Sequence, residues 1–199
     1  MSLRGEKLKF KNMDKPRKKR PRVVLGVTGS IAAFKAPELV RLLREKGFDV
    51  SCLLTEEAAH FVSPLVLSTF TGKPALTDMF SQESQGMPHL RSAEEADLYL
   101  VAPVTANVLA RCAQGLADDL VSLTYLATGA PVVMAPAMHN TMWHHPATQA
   151  NVRLLKERGV TFVGPIVGKL ADGTTAEGRM SELKNIVGAV ESMLEKKRR

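Results

Sequence analysis

Five short apolar runs recur along the chain, and a loop of small or polar residues follows each of them. The runs are residues 22–28 (RVVLGVT), 49–55 (DVSCLLT), 97–103 (DLYLVAP), 131–136 (PVVMAP) and 160–165 (VTFVGP). They lack in/out alternation, and helix-like segments separate them, which indicates parallel strands covered on both faces. The pattern predicts a single-domain α/β protein with a three-layer, doubly wound, Rossmann-like parallel sheet.

Two helical segments are well defined by the sequence. Residues 30–47 are predicted to form a helix that ends at Gly47, with Pro37 marking a kink inside it. The last helix carries one apolar face, made of Leu183, Ile186, Val187, Val190 and Leu194.

The positive charge of the chain is concentrated at its N-terminus. The formal net charge is +7, but residues 1–22 hold ten of the 27 Lys and Arg and two of the 20 Asp and Glu. We therefore expect residues 1–21 to be a disordered basic tail, residues 22–195 a nearly neutral folded domain, and residues 196–199 a basic C-terminal end. A solvated tail is favoured over one that contacts nucleic acid through charge alone.

The cysteine count and the apolar runs limit the class of protein. Cys52 and Cys112 are the two cysteines, too few for a disulfide scaffold. No apolar run reaches the length of a transmembrane helix, and charges occupy the N-terminal region where a signal peptide has its apolar core. We expect a cytoplasmic protein without a membrane partner, and we predict no metal site.

The loop after the first strand is a candidate phosphate site, because ligands of open α/β sheets bind at the carboxyl ends of strands. It contains Gly26, Gly29 and Ser30, where glycines let a backbone approach a ligand and a helix N-terminus attracts an anion; a plain capped turn is the alternative. The spacing is not GxGxxG, and Thr55 stands where a dinucleotide fold has an acid. A mononucleotide such as FMN fits this loop better.

The third strand runs into APVTAN, residues 102–107. Thr105 is a candidate N-cap of the following helix. The amide of Asn107 could hydrogen-bond the isoalloxazine ring or the ribityl chain of a flavin.

Five longer stretches occur in the order found in the flavin-dependent cysteine decarboxylases. They are GVTGSIAAFKAPELVRLL, HLRSAEEADLYLVAPVTANVLAR, GLADDLVS, PVVMAPAMHNTMW and GKLADGTTAEGRM. The chain resembles this family over about residues 22–190, and the joint motifs are specific. The resemblance implies FMN as cofactor and a homo-oligomer, a trimer or a dodecamer built of trimers, with FMN at the subunit interface.

The resemblance also implies which residues form the site. The cofactor-binding positions are Gly29, Ser30, Ile31, Thr55, Thr105, Ala106, Asn107, Val108 and Ala137. His89 aligns with the catalytic histidine of the family, whereas its pattern alone is more typical of a surface or capping residue. A neutral imidazole is a suitable proton acceptor or relay at pH 7.

PAMHNTMW, residues 136–143, departs from the PAMNxxMW motif of the family at His139. The family asparagine binds the substrate carboxylate, and an imidazole N–H can donate to the same group. A one-residue slip would present Asn140 instead; we favour His139. The family motif further implies an apolar wall near flavin and substrate, formed by Pro136, Met138, Met142 and Trp143.

GKLADGTTAEGRM, residues 168–180, resembles the substrate-clamping flap LACGxxGxGRM, with Asp172 in place of the family cysteine. That cysteine acts in the last step, which returns hydrogen from reduced FMN to an enethiol. Asp172 can donate this proton if its pKa is raised in a closed, dry site. A simple Asp-Gly turn is the alternative.

The PAM form favours the branch of the family that converts 4′-phosphopantothenoylcysteine to 4′-phosphopantetheine in coenzyme A biosynthesis. A phosphopantothenate–cysteine ligase is then expected as a separate protein. Two alternatives stay open: a peptidyl-cysteine oxidative decarboxylase of peptide-antibiotic maturation, and a catalytically lapsed regulatory flavoprotein.

Overall fold

The computed structural model describes residues 20–80 and 86–197. Most of the predicted basic tail, residues 1–19, lies outside the described residues, as do residues 198–199 of the predicted basic end.

A parallel sheet of five strands, in the order β2-β1-β3-β4-β5, forms the centre of the protein. The strands are β1 (Arg22–Val27), β2 (Asp49–Leu54), β3 (Leu98–Val104), β4 (Val132–Pro136) and β5 (Thr161–Phe162). All seven residues of β3 and all five of β4 are buried, because helices cover both faces of the sheet. The predicted three-layer, doubly wound α/β fold is confirmed.

Eight α-helices in the described residues surround the sheet. They are α1 (Ala36–Glu45), α2 (Pro64–Thr71), α3 (Pro88–Glu95), α4 (Ala106–Gln114), α5 (Leu120–Ala127), α6 (Asn140–Trp143), α7 (Pro146–Glu157) and α8 (Leu183–Lys197). None of these helices has the length and apolar character needed to cross a membrane.

The helix predicted for residues 30–47 is divided into two parts. A 3-10 helix, Ile31–Lys35, comes first, and α1 begins directly after it. Pro37 lies in the first turn of α1, where its missing N–H costs no intrahelical hydrogen bond.

Each face of the sheet has its own hydrophobic core. One cluster joins the sheet to α1 and α8 and includes Leu39, Leu43, Ile186 and Val190. The second cluster joins the opposite face to α4, α5 and α7 and includes Leu109, Val121, Val152 and Leu155. The loops at the carboxyl ends of the strands are thus held between two packed layers.

A two-stranded antiparallel hairpin stands apart from the main sheet. It consists of β6 (Ile166–Lys169) and β7 (Thr175–Arg179), and it coincides with the predicted flap. The Met138 amide donates to the Gly178 carbonyl at 3.0 Å, which fixes β7 beside the segment that follows β4.

Candidate functional site

A cavity of about 660 Å³ lies at the carboxyl edge of the sheet. Its walls come from the turn after β1, the segment after β4 and the β6–β7 hairpin. Five predicted site residues line it: Ser30, Ile31, Ala137, His139 and Asp172. The fold therefore brings together three motifs that are far apart in the sequence.

Three cations also line this cavity: Lys35, Lys169 and Arg179. These cations were not predicted as site residues, because the motifs that contain them were interpreted through other residues. Together with His139, they make the cavity suitable for an anionic ligand.

The strand order reverses between β1 and β3, the place where open α/β sheets bind their ligands. At this point the buried Thr28 hydroxyl donates to the Pro103 carbonyl at 2.9 Å and accepts the Thr105 N–H at 3.0 Å. Thr28 was not predicted as a site residue, although a hydroxyl between an apolar strand and a glycine is a signal for this position.

Three predicted cofactor-binding hydroxyls act as helix caps in this chain. The side-chain oxygens of Ser30, Thr55 and Thr105 each accept a backbone N–H at 3.3 Å. Thr105 is thus the predicted N-cap of α4, while Asn107 in the first turn of that helix is exposed. The contacts of these three hydroxyls and of Asn107 with a cofactor remain predictions.

Packing within the chain accounts for Gly26 in β1 and for Gly29 in the loop that follows it. A Cβ on Gly29 would lie 2.5 Å from the Cβ of Glu57, and one on Gly26 would lie 2.8 Å from the Tyr99 hydroxyl. Gly26 lies within β1 and not in the loop after it, whereas contact of Gly29 with a cofactor remains a prediction. Gly29 lets the loops after β1 and β2 meet.

His139 and Asp172 form a hydrogen-bonded pair in the cavity wall. The Nε2 of His139 lies 3.1 Å from Oδ2 of Asp172. The Nδ1 of His139 accepts the Thr141 N–H at 3.3 Å and lies 2.8 Å from the Thr141 hydroxyl. Because Nδ1 is an acceptor, Nε2 carries the proton of the neutral ring and donates a hydrogen bond to Asp172.

Asp172 is stabilised as a carboxylate by a second set of bonds. Thr174 donates its hydroxyl to Oδ1 at 2.8 Å and its backbone N–H to the same oxygen at 3.0 Å. The bonds from Thr174 lower the pKa of Asp172; burial opposes them, and the bond from His139 adds to the lowering. The side chain is 42% exposed, so the raised pKa considered for Asp172 as a proton donor is not found.

The other residues of the PAMHNTMW motif are placed differently. Asn140 begins α6 and does not line the cavity. Of the predicted apolar wall, Met138 lines the cavity, Met142 is exposed, and Trp143 packs into the core beside α4 and α7. Met142 and Trp143 thus do not line this cavity, and substrate binding by Met142 remains a prediction.

His89 lies in the first turn of α3, outside the walls of the cavity. Its Nδ1 is buried, and no group among residues 20–80 and 86–197 is within hydrogen-bonding distance of it. A buried polar atom without a partner is costly in free energy. His89 thus does not line the cavity that contains His139 and Asp172.

Most of this chain is similar to part of a larger known protein. The coenzyme A biosynthesis bifunctional protein CoaBC of Escherichia coli (strain K12) is 44% identical over 167 residues, which are 83% of this chain and 41% of that protein. The chain thus spans about two fifths of the length of the curated relatives it matches.

Two solved structures are similar over nearly the whole chain. A PPC decarboxylase mutant complexed with pantothenoylaminoethenethiol has a TM-score of 0.79 and 29% identity, covering 89% of this chain and 100% of that one. The FMN-dependent cysteine decarboxylase SpaF has a TM-score of 0.78 and 30% identity, covering 90% and 98%. Since the family model described as Flavoprotein also matches residues 11–195, the chain belongs to the Flavoprotein family.

Proposed function

We propose that this chain is an FMN-dependent decarboxylase that converts 4′-phosphopantothenoylcysteine to 4′-phosphopantetheine in coenzyme A biosynthesis. The observation that carries the proposal is the cavity, in which His139 and three cations stand at the ligand-binding edge of the sheet. The similarity to CoaBC and to PPC decarboxylase supports the choice of substrate.

The residues at the β1–β3 switch point fit FMN, which binds at this point in other sheets of the same strand order. Gly29 to Ile31, Thr55, Thr105 to Val108 and Ala137 would hold the cofactor. FMN, when bound, supplies the oxidant that makes the thiol-bearing carbon of the substrate an electron sink for loss of CO2. The hydrogen bonds of Thr28 to Pro103 and Thr105 connect the loops that follow β1 and β3.

We propose that the enzyme is a homo-oligomer, a trimer or a dodecamer, with FMN at the subunit interface. Ile31 and Phe34 line the cavity but are 57% and 62% exposed, which is typical of a surface that another chain covers. His89 of one chain would then serve the site of its neighbour. There its neutral imidazole accepts or relays the proton of the substrate thiol.

The anionic groups of the substrate fit the charges of the cavity. The Nε2–H of His139 donates to the substrate carboxylate, and Lys35, Lys169 and Arg179 favour an anionic ligand. We further propose that a phosphopantothenate–cysteine ligase is the pathway neighbour of this chain.

A second candidate function follows from Asp172. Its lowered pKa makes it a poor proton donor for the final reduction, and a reaction that stops at the enethiol is an oxidative decarboxylation. The similarity to SpaF supports this candidate, whose substrate would be a peptide with a C-terminal cysteine.

Release of CO2 by the FMN-loaded protein distinguishes these functions. The proposal predicts CO2 from 4′-phosphopantothenoylcysteine and none from a cysteine-terminated peptide. The opposite preference would support the second candidate, and CO2 from neither would support a catalytically lapsed flavoprotein.

A variant of His89 tests the assignment of the base. His89→Asn is expected to retain the flavin absorption spectrum and lose turnover, because only the proton acceptor is removed. His145→Asn is the matched control, since His145 is an exposed helix cap outside the cavity. Turnover by His89→Asn equal to that of the control would contradict the assignment.

A further inference from the structure

The hydrogen bonds of the His139–Asp172 pair occupy the polar atoms of both side chains. Thr141 contacts Nδ1 of His139, and Thr174 donates twice to Oδ1 of Asp172. The remaining two atoms, Nε2 and Oδ2, face each other at 3.1 Å. In this arrangement His139 has no N–H left for a ligand carboxylate.

We propose that Asp172 is an internal stand-in for the substrate carboxylate on His139, so that it weakens the binding of ligands that carry a carboxylate and leaves the binding of the product unaffected. The inference rests on the proposed function. A ligand that carries a carboxylate displaces Asp172 from Nε2–H, one carboxylate for another. The product has lost its carboxylate as CO2 and cannot make this exchange.

Exchange of one carboxylate for the other costs little free energy, so the step can be reversible. Asp172 keeps both bonds from Thr174 when it leaves His139. The two side chains are 44% and 42% exposed, so water can solvate the released carboxylate. No buried charge is left unpaired, unlike the case of a deeply buried ion pair.

The orientation of the imidazole does not depend on Asp172. The backbone N–H of Thr141 holds Nδ1, and this bond keeps the proton on Nε2 in either state. His139 therefore presents the same donor to Asp172 and to the substrate. Asp172 competes for this donor.

The exchange can remain local to the turn between β6 and β7. Elsewhere the hairpin is attached by the bond from the Met138 amide to the Gly178 carbonyl and by a second pair, His144 and Glu177, at 3.2 Å. Opening of the His139–Asp172 bond leaves both attachments intact.

Calorimetric titration of the FMN-loaded protein tests this inference without turnover. The first ligand is 4′-phosphopantothenoylserine, which carries the carboxylate but has a hydroxyl in place of the thiol that is oxidised. The second is the same molecule without its carboxylate. Asp172→Asn is expected to bind the first ligand roughly two- to fivefold tighter, which is the range for an exposed pair of this kind. It is expected to bind the second ligand with unchanged affinity.

Two further variants serve as controls. Glu177→Gln removes one negative charge from the same hairpin without touching His139, and it is expected to leave both affinities unchanged. In a His139→Asn background, Asp172→Asn is expected to have no effect on either ligand.

Three results would overturn the inference. They are unchanged or weaker binding of the carboxylate ligand by Asp172→Asn, an equal gain for both ligands, and the same gain in Glu177→Gln. Failure of both ligands to bind any variant would overturn the proposed function as well, which separates the two failures.

Discussion

The hydroxyl of Thr28 connects the loops that follow β1 and β3. It donates to the Pro103 carbonyl at 2.9 Å and accepts the Thr105 N–H at 3.0 Å, and the side chain is fully buried. Both loops lie at the switch point of the sheet, where the cofactor is proposed to bind. The Thr28 side chain thus helps to set the spacing of the proposed FMN site, together with the bond from the Thr28 N–H to the Pro103 carbonyl.

We predict that Thr28→Val destabilises the protein and weakens FMN binding. The change keeps the shape of the side chain but removes both bonds, which should cost about 1–3 kcal/mol in free energy of unfolding. Urea unfolding measures the stability, and quenching of flavin fluorescence measures FMN affinity. Thr28→Ser is the matched control because it retains the hydroxyl; equal FMN affinity in the two variants would contradict the role given to this bridge.

Gly178 is the second position with a sharp structural requirement. Its φ is +143°, and a Cβ there would lie 2.2 Å from the Met138 carbonyl oxygen. We expect Gly178→Ala to destabilise the protein by about 1–3 kcal/mol and to displace β7 from the cavity wall. The measurement is the unfolding free energy, together with the affinity for a substrate analogue.

The control for this variant lies in α8. Gly188 is exposed and has open space around its Cα, so Gly188→Ala should stabilise the helix by about 0.5–1 kcal/mol. If the two alanine variants were equally stable, the close contact between Gly178 and Met138 would have no energetic importance.

The two cysteines are predicted to be unreactive in the folded protein. Cys52 and Cys112 are each 1% exposed, and burial raises the pKa of each thiol to about 12. At pH 8 the thiolate fraction is therefore negligible, and a thiol reagent cannot reach the sulfur atoms. We expect alkylation by iodoacetamide only after denaturation, as measured by intact mass.

Neither Cys52 nor Cys112 lines the cavity, so neither thiol can replace the family cysteine at the position of Asp172. A Cys52→Ala, Cys112→Ala double variant that still folds should keep its activity. Rapid alkylation in the native state, with loss of turnover, would show instead that one thiol has access to the site.

The strands β1 to β4 were predicted to within about two residues because each is an apolar run buried on both faces. The last predicted strand, residues 160–165, is reduced to Thr161–Phe162, since Gly164 with φ +84° and Pro165 turn the chain away. The β6–β7 hairpin was quoted as a motif but not predicted as strands. Its residues show little apolar patterning, and its position depends on contacts with the segment after β4.

The individual site residues were predicted from the sequence, but the hydrogen bonds between them were not. His139 and Asp172 were each identified as departures from a family motif, yet they lie 33 positions apart and no local pattern predicts their bond. The bond from the Thr105 N–H to Thr28 spans 77 positions and depends on the pairing of β1 with β3. Contacts of this kind follow from the topology of the sheet.

Product mass tests the central claim most directly. The FMN-loaded protein is incubated anaerobically with 4′-phosphopantothenoylcysteine, and the product mass and flavin spectrum are recorded. We predict loss of CO2 alone with FMN oxidised at the end, as required for 4′-phosphopantetheine. Loss of CO2 plus two hydrogens with bleached flavin, or an unchanged substrate, would contradict this account.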